Sequence, residues 1–263
     1  MLKITHNAGF FSCCNVRLHD IIHYFNYYKN IPSDIDSSEQ FKWYKINKTG
    51  DITYDYFDHY NNNNNSNNSN INNDTIDDNS IYSNLDTIIK NKNCIDYTHH
   101  KQFVDYNTLD YNNIIPFIKK YFSPSKEIIT IIDTIEKKYN IDTDTDNYID
   151  YNNICVLFYR GNDKNTETQI CNYNEYIEKA NNILKHNPNI QFLIQSDETE
   201  FINTFTELFP NNSFYFKDEI RHINKCNSTV DKVMQEQNYI FSKYYLAITI
   251  IMSKCKYIVC GSG

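Results

Sequence analysis

Three short segments carry the residue types that could hold a charged ligand. Arg160-Gly161-Asn162-Asp163-Lys164 follows the apolar run ICVLFY, Ser196-Asp197-Glu198 follows QFLIQ, and Gly261-Ser262-Gly263 follows KYIVC. A guanidinium offers a planar fork of donors that matches phosphate oxygens, and a glycine beside it lets the backbone come close. Arg160 with Gly161 therefore reads as a diphosphate contact. The amides of Gly261 and Ser262, at the start of a helix, would add an anion site, and Asp197 would accept hydrogen bonds from a base or ribose. Any one of these segments alone reads better as a surface ion pair or a plain turn. It is their occurrence at three equivalent strand ends that points to a ligand.

The elements that must position them alternate regularly beyond residue 150. Apolar runs at 154–159, 191–195, 213–216 and 256–260 are separated by helical patterns at 173–186, 198–209 and 234–252. Strands spaced by helices imply parallel βαβ units, whose ligands sit at the carboxyl ends of the strands. The beginning of the chain repeats the theme: a strand at 2–4, a loop with Gly9, and a helix at 15–29 with apolar residues near the 3.6-residue period. Asn7 and Gly9 are the candidate ligand contacts of that loop, with a simple strand-to-helix turn as the competing reading. The segment NNNNNSNNSNINND lies in an expected disordered insertion at about 58–80, because such a composition buries too little apolar surface to offset ordering. The expected organisation is α/β, with an N-terminal Rossmann-like, acceptor-side domain at 1–140, a linker at 141–152 and a donor-binding domain at 153–263.

Composition narrows the class. The chain has 263 residues, a formal net charge of −8 and 40% hydrophobic residues, with mean hydropathy −0.64 and a pI near 5.5. Without clusters of Lys or Arg it lacks the footprint of a nucleic-acid binder. No apolar stretch reaches membrane-spanning length and no signal peptide is evident, so a cytoplasmic setting is expected, in the host cytoplasm or a virion if the source is viral. The abundance of Asn, Ile, Lys and Tyr reflects AT-rich coding, as in protists and giant viruses. Eight cysteines without a CxxC pair are expected to be reduced and mostly structural.

The run VLFYRGNDK resembles the donor-site motif of the fucosyltransferases related to the α1,6- and protein O-fucosyltransferases, where a strand ends in His-x-Arg-x-x-Asp-Lys. The segments NYNEYIEKA, FLIQSDE and IIMSKCKYIVCGSG resemble that family's following helix, acidic strand end and helix-strand-serine loop, in the same order. The resemblance covers roughly residues 150–263 and implies a GT-B arrangement of two Rossmann-like domains, the second incomplete at its C-terminal end. It implies that Arg160 holds the β-phosphate of a GDP-sugar, that Asp163 and Lys164 shape the catalytic edge, that Asp197 helps hold the nucleoside, and that Ser262 sits in the phosphate loop. Glu167 resembles the catalytic carboxylate once one residue is deleted between it and Lys164. Phe158 stands where the family often has histidine, and Gly161 replaces a second arginine of some members. The implied activity is transfer of fucose or a related sugar to a glycan or protein hydroxyl by single displacement, with no metal or other cofactor. A catalytically inactive sugar- or protein-binding module of the same fold is the alternative.

Two other motifs compete. Asp142-Thr-Asp144-Thr-Asp146 has neither the glycine nor the glutamate of a calcium loop, nor the strand that carries a metal-binding DxD, and reads as solvated linker. His19 and His23 have metal-ligand spacing on a helix but lack the glutamate of HExxH. His222, in the loop RHINKCNST, could lie near the cleft but reads better as a surface histidine.

Overall fold

The computed structural model describes residues 1–47, 49–58, 111–142 and 148–261. Nearly all of the expected Asn-rich insertion, Asp144 and Asp146 of the linker, and Ser262 and Gly263 lie outside these residues. The chain is α/β and divides into two compact units, Met1–Glu127 and Ile128–Gly263.

The first unit opens with β1 (Leu2–Lys3), α1 (Phe10–Tyr28) and β2 (Ile35–Asp36). The two strands pair in parallel, with Leu2 opposite Ile35, so this is a small βαβ unit. Helix α1 starts earlier than its periodicity predicts because Phe10 packs among Phe41, Tyr44 and Tyr56, with ring centroids 4.8–5.5 Å away. It ends where Lys29 turns into the left-handed region at φ 57° and donates its N–H to Phe25 O. After α2 (Thr53–Tyr56), strand β3 (Phe57–Asp58) pairs antiparallel with β4 (Ser123–Pro124), which follows α3 (Tyr111–Tyr121). Leu18, Ile21, Ile22 and Phe25 of α1 meet Ile114 and Phe117 of α3 in the core of this unit.

Helix α4 (Lys126–Lys138) leads into the second unit, and the compact units divide between Glu127 and Ile128, ahead of the linker expected at 141–152. The reason is visible in the partners of α4. Glu136 accepts hydrogen bonds from Lys254 (2.6 Å) and from the Tyr151 hydroxyl. Lys138 binds Glu219 at 2.6 Å, and Tyr139 packs on Phe216.

The second unit is built on β5 (Ile154–Tyr159), β6 (Gln191–Ser196), β7 (Ser213–Phe214) and β8 (Tyr257–Cys260). All pairings are parallel and the spatial order is β7-β6-β5-β8. Helices α5 (Tyr173–His186) and α6 (Thr199–Leu208) connect the first three strands. A reciprocal capping box starts α5: the Asn172 side chain accepts from Glu175 N, and Glu175 accepts from Asn172 N. The return to β8 runs through α7 (Val230–Met234) and α8 (Asn238–Lys254). The single helix expected at 234–252 is thus two, because Thr229 caps an earlier start and Gln235 breaks the path at φ 33°. Tyr159, Tyr176, Phe201 and Phe205 stack beneath the carboxyl end of β5, Tyr159 lying flat on Phe201 with centroids 4.7 Å apart.

Candidate functional site

The chain leaves β5 for β6 and β7 on one side and returns to β8 on the other. Between the carboxyl ends of β5 and β8 the direction of winding reverses, which is where parallel sheets leave a crevice for ligands. A cavity of about 220 Å³ lies there. Its lining includes Phe158, Arg160, Lys164, Ile170, Cys171 and Gly261. Tyr176, also in the lining, holds the two strand ends together: its hydroxyl donates to Phe158 O and accepts from Gly261 N, each at 2.8 Å. Sequence reasoning passed over Tyr176; its place on the inward stripe of α5 was the signal for a core residue, not for a clasp.

Arg160, Gly161, Asp163, Lys164 and Asp197 come together as the strand ends predict, but their roles divide differently. Asp197 is almost wholly buried, and both its oxygens are occupied. Arg160 Nε donates to Oδ2 at 3.2 Å and Gly161 N donates to Oδ1 at 2.8 Å. In this geometry Asp197 positions Arg160 rather than presenting a carboxylate to a nucleoside. Burial pushes the Asp197 carboxyl above the usual range, while the Arg160 charge and the Gly161 N–H pull it back. Asp163 adds a second acid, its Oδ1 3.6 Å from Arg160 Nη2 and without a hydrogen bond.

Glu198 is the residue that sequence reasoning left without a role. It is fully buried, accepts from Asn162 N at 2.8 Å and from the Tyr173 hydroxyl at 2.6 Å. A Cβ at residue 161 would overlap the Glu198 carboxyl and come 2.8 Å from its Cγ. Gly161 is thus required by a buried glutamate. Asn162 completes the turn with a left-handed φ of 37°, which asparagine tolerates. Its side chain donates to Asp197 O at 2.7 Å and accepts from Cys226 N at 2.9 Å.

The segment around Ile223 covers the end of β6. Ile223 N donates to Asp197 O at 3.0 Å and Ile223 O accepts from Thr199 N at 2.9 Å. The acidic strand end is therefore closed from above, and the open side of the site lies toward β8. His222 is half-buried over the start of α6, 2.8 Å from the Thr199 hydroxyl; it is not the surface histidine the sequence implied. Burial holds its pKa below the usual value of about 6.5. A depressed folded-state pKa supplies stability that is present above the unfolded value and lost as pH falls through the folded one. The midpoint of thermal unfolding is expected to drop between pH 7.5 and pH 5 by more in the natural chain than in His222→Gln. Equal drops would remove His222 from the acid response.

Lys164 and Glu167 form an ion pair at the rim, on a 3₁₀ turn spanning Asn162–Thr166. Asn7 and Gly9 belong to the first unit. The Asn7 amide is taken up by loop backbone, donating to Glu39 O at 2.9 Å and accepting from Lys42 N at 3.0 Å. Gly9 is the residue before α1, with open space where a side chain would be. Ser262 lies outside the described residues.

No protein-family model matches the chain, and no curated protein matches it. The chemistry of the site has to come from its own side chains. Among the described residues no group of three or more His, Cys, Asp or Glu is placed to hold a metal ion, and the rings of His19 and His23 stack, 5.9 Å apart. The seven described cysteines are free. No helix among the described residues is long and apolar enough to cross a membrane. What the crevice offers is a guanidinium, an ammonium, the apolar side chains of Phe158 and Ile170, and a glycine backbone at the end of β8.

Proposed function

We propose that the second unit binds the diphosphate of a nucleotide sugar between the ends of β5 and β8, and that the chain is a glycosyltransferase of GT-B type, most similar to fucosyltransferases using a GDP-sugar. The observation that carries this reading is the placement of Arg160 and Lys164 in the lining of a cavity at the switch point of a parallel sheet. The order of the four resembling segments supports the choice of donor.

In this reading the two cations hold the diphosphate and neutralise the charge that grows on it as the bond to the sugar breaks. Asp197 and Asp163 aim the Arg160 guanidinium. Glu167 serves as the base. In the free protein Lys164 holds its carboxylate; once a diphosphate takes the ammonium, the carboxylate is released to accept the proton of the acceptor hydroxyl. The acceptor oxygen then bonds to the anomeric carbon as the electron pair of the old bond leaves with the diphosphate. The charges at the site thus come from side chains, without a metal in the scheme.

The second reading is a nucleotide-sugar-binding module without turnover. The Lys164–Glu167 ion pair favours it, since a carboxylate that stays paired takes no proton. Calorimetry with GDP, GDP-fucose, UDP and UDP-glucose tests both. The expected result is heat of binding for guanine nucleotides that Arg160→Ala abolishes. Binding without release of GDP across an acceptor panel would favour the module, and no binding of any nucleotide would sink both.

A further inference from the structure

We infer that the first unit carries a separate binding site for a neutral carbohydrate, on the outer face of α1. It goes beyond the reading above and would stand if the crevice at β5 and β8 bound no nucleotide.

Helix α1 has two stripes. Leu18, Ile21, Ile22 and Phe25 face the core. Asp20, His23, Tyr24, Tyr27 and Tyr28 recur at the same helical spacing on the neighbouring face. They line a groove of about 380 Å³ whose remaining wall comes from the start of the chain, including Leu2 of β1. Tyr27 is 74% exposed and Tyr28 57%. AT-rich coding accounts for many tyrosines but not for their gathering along one edge of a groove, and contiguous exposed aromatic surface of this kind is characteristic of binding sites.

The lining chooses among ligands. Beside Met1 and Leu2 its side chains include no Lys or Arg and one carboxylate, Asp20, which disfavours an anion such as phosphate or an acidic peptide. A quaternary ammonium needs a slot between ring faces. Here the rings touch one another: Tyr24 and Tyr28 have centroids 4.5 Å apart, and Tyr27 and Tyr28 are 4.7 Å apart and nearly perpendicular. These tilted and edge-to-face contacts join the three rings into one stepped aromatic platform and leave no slot between ring faces. Exposed ring faces carry partial negative charge, and the polarised C–H bonds of a sugar ring lie well on them. Phenol hydroxyls, the Asp20 carboxylate and the His23 imidazole around the platform supply acceptors and donors for ring hydroxyls. A ligand with C–H faces, many hydroxyls and no charge fits all of these features. The groove has the size of a small-molecule site and room for a short oligosaccharide.

The test is saturation-transfer NMR on the full chain with neutral disaccharides: lactose, maltose, N-acetyllactosamine and N,N′-diacetylchitobiose. Transfer to the ring C–H protons of at least one of them is expected, weakened at least about tenfold in Kd by Tyr27→Ala with Tyr28→Ala. Tyr27→Phe keeps the ring and should retain binding, which separates stacking from general damage. Thermal unfolding checks that the exposed substitutions leave the fold intact. No transfer from any disaccharide, or transfer unchanged in the alanine variant, would overturn the inference. Saturation of the groove by tetramethylammonium, or concentration-dependent dimerisation lost in the alanine variant, would also overturn it, by assigning the platform to a cation or to a second copy. GDP binding measured on the same samples reports on the second unit separately.

Discussion

Gly161→Ala is expected to destabilise the second unit by about 3 kcal/mol or more, far beyond the loss that a surface glycine would show. The added methyl meets the Glu198 carboxyl inside van der Waals contact and its Cγ at 2.8 Å. Glu198 cannot step aside, because it is fully buried and its oxygens serve Asn162 N and the Tyr173 hydroxyl. Moving it would leave a buried N–H and a half-buried phenol without their acceptor, and a buried group that loses its partner costs about 1–3 kcal/mol. Urea unfolding of the single variants and of Gly161→Ala with Glu198→Ala gives the deciding number. The second substitution removes the obstruction, so the double variant should be more stable than the sum of the two losses predicts. Additive losses would show that the glycine answers to something other than Glu198. Because the same turn carries Arg160 and Lys164, nucleotide binding should weaken in parallel with stability.

This pair of residues also marks the limit of what the sequence discloses. The parallel βαβ rhythm of the second unit is legible from Ile154 to Cys260, because buried strands are short apolar runs and the helices between them have amphipathic periodicity. Arg160, Gly161, Asp163, Lys164 and Asp197 are legible as a cluster, because parallel topology brings strand ends to one edge. Their mutual orientation is not. A carboxylate one residue along from Asp197 turns inward under the glycine, whereas Asp197 itself turns to the arginine. The chain around Ile223 bridges to Glu198 and closes the β6 end, a contact between segments distant in sequence. The extent of α1 is a similar case: Phe10 reads as loop until the rings of Phe41, Tyr44 and Tyr56 are packed around it. Tertiary packing decides these points, and local pattern carries no trace of it.

Arg160→Ala tests the electrostatics of the site in two independent ways. In binding, it removes the fork that would meet the diphosphate, and hydrogen bonds between charged groups are worth about 1.5–3 kcal/mol. A loss of roughly 10- to 100-fold in nucleotide affinity is expected. In stability, it takes away one of the two donors of Asp197, leaving the Gly161 N–H alone. The folded-state pKa of Asp197 is already raised by burial, with Arg160 opposing the rise. An acid whose folded pKa lies above its unfolded value favours the native state below the unfolded value, near 3.9, and that advantage is lost as pH rises through the folded one. Removing Arg160 lifts the folded pKa further, so the penalty for ionising Asp197 extends to higher pH. The difference in unfolding free energy between the natural chain and Arg160→Ala should therefore be small near pH 4 and grow toward pH 7, where about 1–3 kcal/mol is expected for a pair whose arginine is partly exposed. Adding Asp197→Asn to Arg160→Ala removes the titrating group and should flatten that dependence. If the difference is flat already in the single variant, Arg160 does not control the charge of Asp197. A loss of binding in the same variant would then belong to the ligand contact alone, since the acid beneath the guanidinium would be indifferent to its presence.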